Sequence, residues 1–379
     1  MTEKDKSVKI IQQMINRVTN NKTYPFSFEN KNKQDNFIYL INYHQISPIF
    51  HYFKNYLPKP PTIINEKILL KSQEAFLQNL CRSMLYIDFL KQPDLPDFFL
   101  VKGLVSAHLL YSSPALRSFN DLDILIEKKH YNDWIDFLNT AGFKQKDNLS
   151  DTFPNRIIKK YNFAQHFVNE DNNIAIDLHL NLSNKLHPFQ FDLSEFTATP
   201  KTFTIEGVKI KTFDNEHLLI YMLYHAFKHY YFKILWFIDI HNFFMTQPYD
   251  EQKILDLIKK HKLQVLFRYY LGISIDLFGE TGLDENSALR KHFQPKRDHI
   301  INLTSVIRGE LSSGNSTNRL LLPMKYLPKA SQKFKYLIKQ LFPPAETQPE
   351  FYKNSGRLSR WDYLMNRFTK LKRLDKFNQ

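Results

Sequence analysis

The sequence predicts an α+β protein: a mixed β-sheet core with helices, flanked by N- and C-terminal helical regions. Three observations point there. Glycine is scarce, at nine of 379 residues, which disfavours an all-β fold built on glycine turns. Apolar residues recur at helical spacing before residue 95 and after residue 215. Between these stretches, short apolar or alternating runs bounded by turn residues read as about four or five strands. The expected organisation is a helical region over 1–95, a core over 96–214 and a helical domain over 215–379.

The elements follow in order. Val8, Ile11, Met14, Ile15 and Val18 give 5–20 a helical period, and Phe37, Leu40, Ile41 and His44 do the same for 35–57. Pro58-Lys59-Pro60-Pro61 breaks the pattern, and a long helix is expected over 64–91. This region would buttress the core or wall a substrate cleft. Phe98 to Val101 reads as a short buried strand, Gly103 permits a tight turn, and 104–111 starts a helix. Tyr111 to Arg117 is a loop with Ser112-Ser113-Pro114 as turn chemistry.

Leu122 to Ile126 is the next strand, followed by a helix over 128–141 that ends near Gly142. Arg156 to Phe167 and Ile174 to Leu180 read as strands joined by Glu170-Asp171-Asn172-Asn173. Phe203 to Phe213 reads as a hairpin around Glu206-Gly207. Helices are expected at His217 to His229, Lys233 to Met245 and 251–279. The rest is read as helical, broken at Pro323, Pro328 and Pro343-Pro344, with a basic amphipathic stretch from Arg357 to Lys376.

Composition bounds the function. Hydrophobic residues at 43% and charged residues at 24% exclude a disordered chain. The net charge of +14 suits polyanions such as nucleic acid, nucleotides or anionic lipid, and equally suits a surface of solvated lysines. Cys81 is the single cysteine, so an internal disulfide is excluded and a cysteine metal site is not expected. Met1 to Lys9 lacks the apolar run of a secretory signal, and no stretch of about 18 apolar residues occurs. The expectation is a soluble cytoplasmic protein without a membrane span.

The chemistry-bearing residues centre on Asp121 and Asp123. Side chains at i and i+2 share one face of a strand, so these carboxylates repel unless a cation sits between them. Asp-x-Asp alone is common by chance; Gly103 and Arg117 before it and Asp177 on a later strand single this one out. Phosphoryl-transfer sites with two ions about 3.5–4 Å apart need such an acidic cluster. Backbone N–H groups at the helix start after Gly103 favour an anion. Lys102 is either a point charge for phosphate or a solvated strand-edge lysine, and Arg117 either a bidentate phosphate ligand or an ion-pair brace for the Asp loop. His225 and His229 stand at i and i+4, a metal spacing, but helix histidines more often pack. Tyr230-Tyr231-Phe232 could stack a base, although core packing is the commoner role.

On these residues, from about Phe98 to Asp239, the chain resembles the polymerase-beta-like nucleotidyltransferase superfamily, whose pattern is a glycine turn, then hDhDh, then hDh. It most resembles the uncharacterised nucleotidyltransferase branch, with Lys-Gly at the turn and an Arg shortly before Asp-x-Asp. The resemblance implies a nucleotidyltransferase-type sheet. It implies that Asp121 and Asp123 ligate Mg²⁺ (or Mn²⁺) and hold a nucleoside triphosphate, while Asp177 binds the catalytic metal and helps deprotonate the acceptor. Lys102, Gly103, Ser106 and Arg117 form the expected nucleotide side, with Ser106 replacing a hydroxyl that the superfamily carries where this chain has Leu104. The gap from Gly103 to Asp121 is also longer than the superfamily norm. The branch shows a similar His-x-x-x-His followed by Trp and Asp, so His225, His229, Trp236 and Asp239 are expected near an acceptor pocket.

The resulting expectation is a metal-dependent transfer of a nucleotidyl group from NTP, with pyrophosphate leaving, to a small molecule or an RNA end. The alternative is a catalytically degenerate nucleotide- or RNA-binding module on the same fold. A third possibility is a basic RNA-binding scaffold in which the Asp pair is incidental.

Overall fold

The computed structural model describes residues 31–52, 63–146, 153–229, 233–297, 303–307, 323–327 and 329–347. The expected helix over 5–20, the break at Pro58 to Pro61, Tyr230 to Phe232, Pro328 and the basic stretch Arg357 to Lys376 lie outside these residues.

Two helices, Lys31–Tyr43 and Ser47–Tyr52, precede α1 (Ile63–Leu90). The single helix expected over 35–57 is thus divided, and Gln45 between the two pieces has φ +59, which an α-helix cannot hold. Then come β1 (Phe99–Leu100), α2 (Leu104–Leu110), β2 (Leu122–Leu125), α3 (Tyr131–Thr140) and β3 (Lys144–Gln145). They are followed by α4 (Asn155–Tyr161), β4 (Gln165–Asn169), β5 (Ile174–His179) and α5 (Leu193–Thr197). A hairpin of β6 (Lys201–Ile205) and β7 (Val208–Thr212) leads to α6 (Asn215–Lys228), α7 (Ile234–Thr246), α8 (Glu251–Lys260) and α9 (Gln264–Phe278). Further helices are Ala288–His292, Leu303–Ile307 and Ala330–Leu341.

The chain is α+β, as its sequence predicts. The main sheet is mixed and five-stranded, in the order β1-β2-β5-β4-β3, and β6-β7 forms a separate two-stranded sheet. β3–β4 and β4–β5 are antiparallel. In the hairpin, Glu206 and Gly207 both have positive φ, the backbone that a two-residue turn of this hand requires.

The strand read over Arg156 to Phe167 is corrected. Its first half is α4, which buries Ile157, Ile158 and Tyr161 on one helical face and ends at Asn162 in the left-handed region. Only from Gln165 does the chain extend, with alternating burial. The helix expected over 251–279 is likewise two, separated at Lys262 (φ +60). The short strand β3 and helix α5 were not legible from periodicity, because each is too short to show a period.

The chain divides into two compact units. One takes Met1–Pro93, Phe99–Asp123 and Ser194–Ser313; the other takes Asp94–Phe98, Ile124–Leu193 and Gly314–Gln379. The boundary falls inside β2, immediately after Asp123.

Within the first unit, α1 secures the loop that delivers the acid pair. Asn79 Nδ2 donates to the Ala115 carbonyl at 3.1 Å, Arg82 Nη1 to Phe119 O at 2.7 Å and Tyr86 OH to Asn120 O at 2.8 Å. Three side chains of one helix thus satisfy three carbonyls of a segment that has no ladder of its own. Buried His44 bridges two further elements. Its Nδ1 accepts from Ile234 N–H at the start of α7 (3.2 Å), so its Nε2–H donates to Ile307 O (2.8 Å).

In the second unit, α3 buries Tyr131, Trp134 and Leu138. The Trp134 indole N–H donates to Asp97 O at 3.2 Å.

Candidate active site

The site begins with a backbone constraint. Gly103 has φ +52 and ψ −106, a region closed to residues with a Cβ. A Cβ there would stand 3.3 Å from the Asp121 carbonyl oxygen and 3.6 Å from Asp123 Oδ2. The turn between β1 and α2 is therefore packed directly against the acid pair.

Arg117 holds this arrangement from behind. It is buried, and its Nε donates to Asp239 Oδ1 at 3.0 Å while Nη2 donates to Oδ2 at 2.8 Å. Its Nη1 reaches the Gly103 carbonyl at 3.3 Å, and Tyr111 OH donates to Asp239 Oδ1 at 2.7 Å. Burial alone would lower the guanidinium pKa, but Asp239 outweighs it and raises the value. Tyr111 is pushed well up by burial and by Asp239, so its hydroxyl keeps its proton. Two residues that the sequence reading placed apart, Arg117 with phosphate and Asp239 with the acceptor, are bonded to each other.

Lys102 and Asp123 form the next pair. Lys102 Nζ lies 2.5 Å from Asp123 Oδ1, and Asp123 is 3% exposed. Burial would lower the ammonium pKa, yet Asp123, Tyr221 and Asp121 hold it above the usual lysine range. Lys102 therefore stays charged beside the carboxylates. Ser106 is buried and its Oγ has no hydrogen-bond partner; it faces protein rather than solvent. Asp121 is half-buried, one residue before β2.

The helical pair α6–α7 adds an aromatic group in the same unit. His225 and His229 rings lie 4.7 Å apart, and Trp236 is 5.1 and 5.3 Å from them. Burial lowers both imidazoles. His225 falls well below its usual value, with Lys102 contributing, and His229 falls to about 3, with Lys228, Lys102 and Lys233 contributing. Both rings are neutral at neutral pH. Lys233 lies over the Trp236 ring at 5.8 Å, and burial lowers its pKa against the pull of Asp121.

β5 supplies the third acid. Its side chains alternate, so Asp177 and His179 share one face while Ile174, Ile176 and Leu178 bury on the other. The Ile126 N–H donates to His179 O at 2.9 Å, carrying the end of β2 alongside β5. Within this unit Asp177 and His179 each offer one ligand atom, within 4.8 Å of one another. His166 on β4 lies directly across from Asp177 and meets it, Nδ1 to Oδ1, at 2.6 Å. The sequence reading missed His179 and His166. His179 was accessible, being two residues after Asp177 on a recognised strand.

The family described as "Uncharacterised nucleotidyltransferase" matches residues 30–279, about two thirds of the chain. The chain belongs to that family. No curated protein and no solved structure matches it. Membership supports nucleotidyl transfer as the general activity of this nucleotidyltransferase, in a family that generally uses a divalent metal and NTP. The donors Asp177 and His179 are chemically suited to such an ion: a carboxylate oxygen and an imidazole nitrogen. Among the described residues of the nucleotidyltransferase, no helix is long and apolar enough to cross a membrane.

Proposed function

We propose that this nucleotidyltransferase transfers a nucleoside monophosphate from NTP to an acceptor hydroxyl, amine or phosphate, with Mg²⁺ or Mn²⁺ bound and pyrophosphate released. Asp177 and His179 on one face of β5, each offering a ligand atom within 4.8 Å of the other, carry the reading. They would hold a metal, with Asp121 and Asp123 adding the carboxylates that the family resemblance implies. When bound, the metal supplies charge neutralisation on the triphosphate and Lewis acidity at its α-phosphorus.

The chain's own groups divide the remaining work. The acceptor atom attacks the α-phosphorus and the bond to the bridging oxygen breaks. Asp177 positions the acceptor, whose proton is lost to water, and pyrophosphate leaves. Lys102 supplies a fixed positive charge to the triphosphate, and Gly103 lets the backbone approach it. Arg117 acts through the loop, holding Gly103 and the acid pair in register by its bond to Asp239. The neutral His225, His229 and Trp236 rings offer flat faces for a base or an acceptor, and neutral rings suit stacking better than phosphate contact.

The test is transfer of label from α-labelled NTP. Asp121→Asn and Asp123→Asn variants that remain folded should lose it, and undiminished transfer overturns the assignment. A steep loss of acceptor binding with salt would mark RNA, and a shallow one a small molecule.

A second reading is favoured by one observation: Lys102 already satisfies Asp123 Oδ1. In a degenerate module that ion pair would be the resting end-point. Metal-dependent thermal stabilisation by NTP without turnover would identify it.

A further inference from the structure

We infer that His166 is the positioning residue for Asp177, committing one carboxylate oxygen so that the other is presented to a metal ion. This rests on the reading of Asp177 as a metal-holding acid.

The geometry comes from strand register. β4 and β5 pair antiparallel over five residues, and His166 stands opposite Asp177, between the pairs Gln165–Leu178 and Phe167–Ile176. Residues directly opposite share a face, so the two side chains meet without any loop to adjust. His166 Nδ1 lies 2.6 Å from Asp177 Oδ1. A carboxylate only accepts, so the imidazole donates from Nδ1 and its tautomer is set.

A surface His–Asp pair would ordinarily be of little consequence. This one differs because Asp177 shares its strand face with His179, and the two offer ligand atoms within 4.8 Å of one another, while His166 is not among the groups that could hold a metal. Asp177 has Oδ1 engaged by His166. Groups that fix a ligand's orientation in this way typically change metal affinity by about 10- to 100-fold when removed. The His166 side chain is 40% exposed, so replacing it leaves little cavity and folding should survive.

The experiment uses the full chain, with Mn²⁺ as probe and the electron paramagnetic resonance signal of free Mn²⁺ as readout, without nucleotide or turnover. His166→Ala should weaken Mn²⁺ binding by about 10- to 100-fold. His166→Asn places an amide N–H where Nδ1–H lies and should restore binding to within about threefold of wild type. His166→Gln puts its N–H one bond farther out and should bind as weakly as the Ala variant. Equal affinity in wild type and His166→Ala, or Asn behaving like Gln, overturns the inference while leaving the metal site standing. A wild-type chain that leaves Mn²⁺ free removes the metal reading and this assignment with it.

Discussion

Arg117 and Asp239, 122 residues apart in sequence, form a buried two-point ion pair, and Arg117 extends from it to the carbonyl of Gly103. The pair ties helix α7 to the glycine turn and to the loop that carries Asp121 and Asp123. Its weight in the fold comes less from attraction, which desolvation offsets, than from the cost of breaking it.

Removing one partner of that pair leaves the other buried and uncompensated. Arg117→Ala should cost about 3–5 kcal/mol in urea denaturation, and Asp239→Ala a similar amount. The double variant should lose clearly less than the sum, because neither charge is then stranded. Additive losses would show that the pair is not coupled.

Gly103→Ala should be more damaging than Gly207→Ala, although both positions have positive φ. At Gly207 nothing lies within 4 Å of an added Cβ, so the cost is backbone strain alone, about 1 kcal/mol. At Gly103 the φ/ψ pair is more restrictive and the Asp121 carbonyl crowds the added atom. A loss of about 2–3 kcal/mol is expected, together with weaker metal binding. Equal melting temperatures for the two variants would contradict this.

The glycine turn was legible because its evidence is local: a residue type tied to a backbone region. The partner of Arg117 was not, since nothing near residue 117 specifies residue 239. His166 was hidden by a specific error. Reading 156–167 as one strand left the start of β4 undefined, and without that start the register opposite Asp177 could not be counted. Ile157, Ile158 and Tyr161 lie one and four residues apart, which satisfies a helix as well as a short apolar strand, and only the left-handed Asn162 separates the two cases. His179 needed no correction of boundaries, only the same period-two argument that picked out Asp123.

The buried histidines make stability depend on pH. His229 titrates near 3 in the folded chain against an ordinary value of 6.5. Between those values the unfolded chain binds a proton that the folded chain refuses, so stability falls as pH drops through 6.5 toward 3. The contribution is on the order of 5 kcal/mol across that window. Urea midpoints of wild type and His229→Gln, measured from pH 7.5 to pH 4, should converge as the pH falls. Parallel curves would show that His229 is not the group responsible.

The contact of Lys102 with Asp123 predicts opposite effects on two ligands. Lys102 engages Asp123 Oδ1 at 2.5 Å and so competes with any cation that the carboxylate could hold. Lys102→Met removes that contact and one positive charge, and without nucleotide the affinity for Mn²⁺ should rise severalfold. The same change takes away a fixed charge for the triphosphate, so NTP affinity should fall, by about tenfold if about 1.4 kcal/mol is lost. Titration calorimetry of the two ligands on one variant reads both signs. A lysine that served only to neutralise Asp123 would raise metal affinity and leave nucleotide binding untouched, and that pattern would remove Lys102 from the phosphate side of the site.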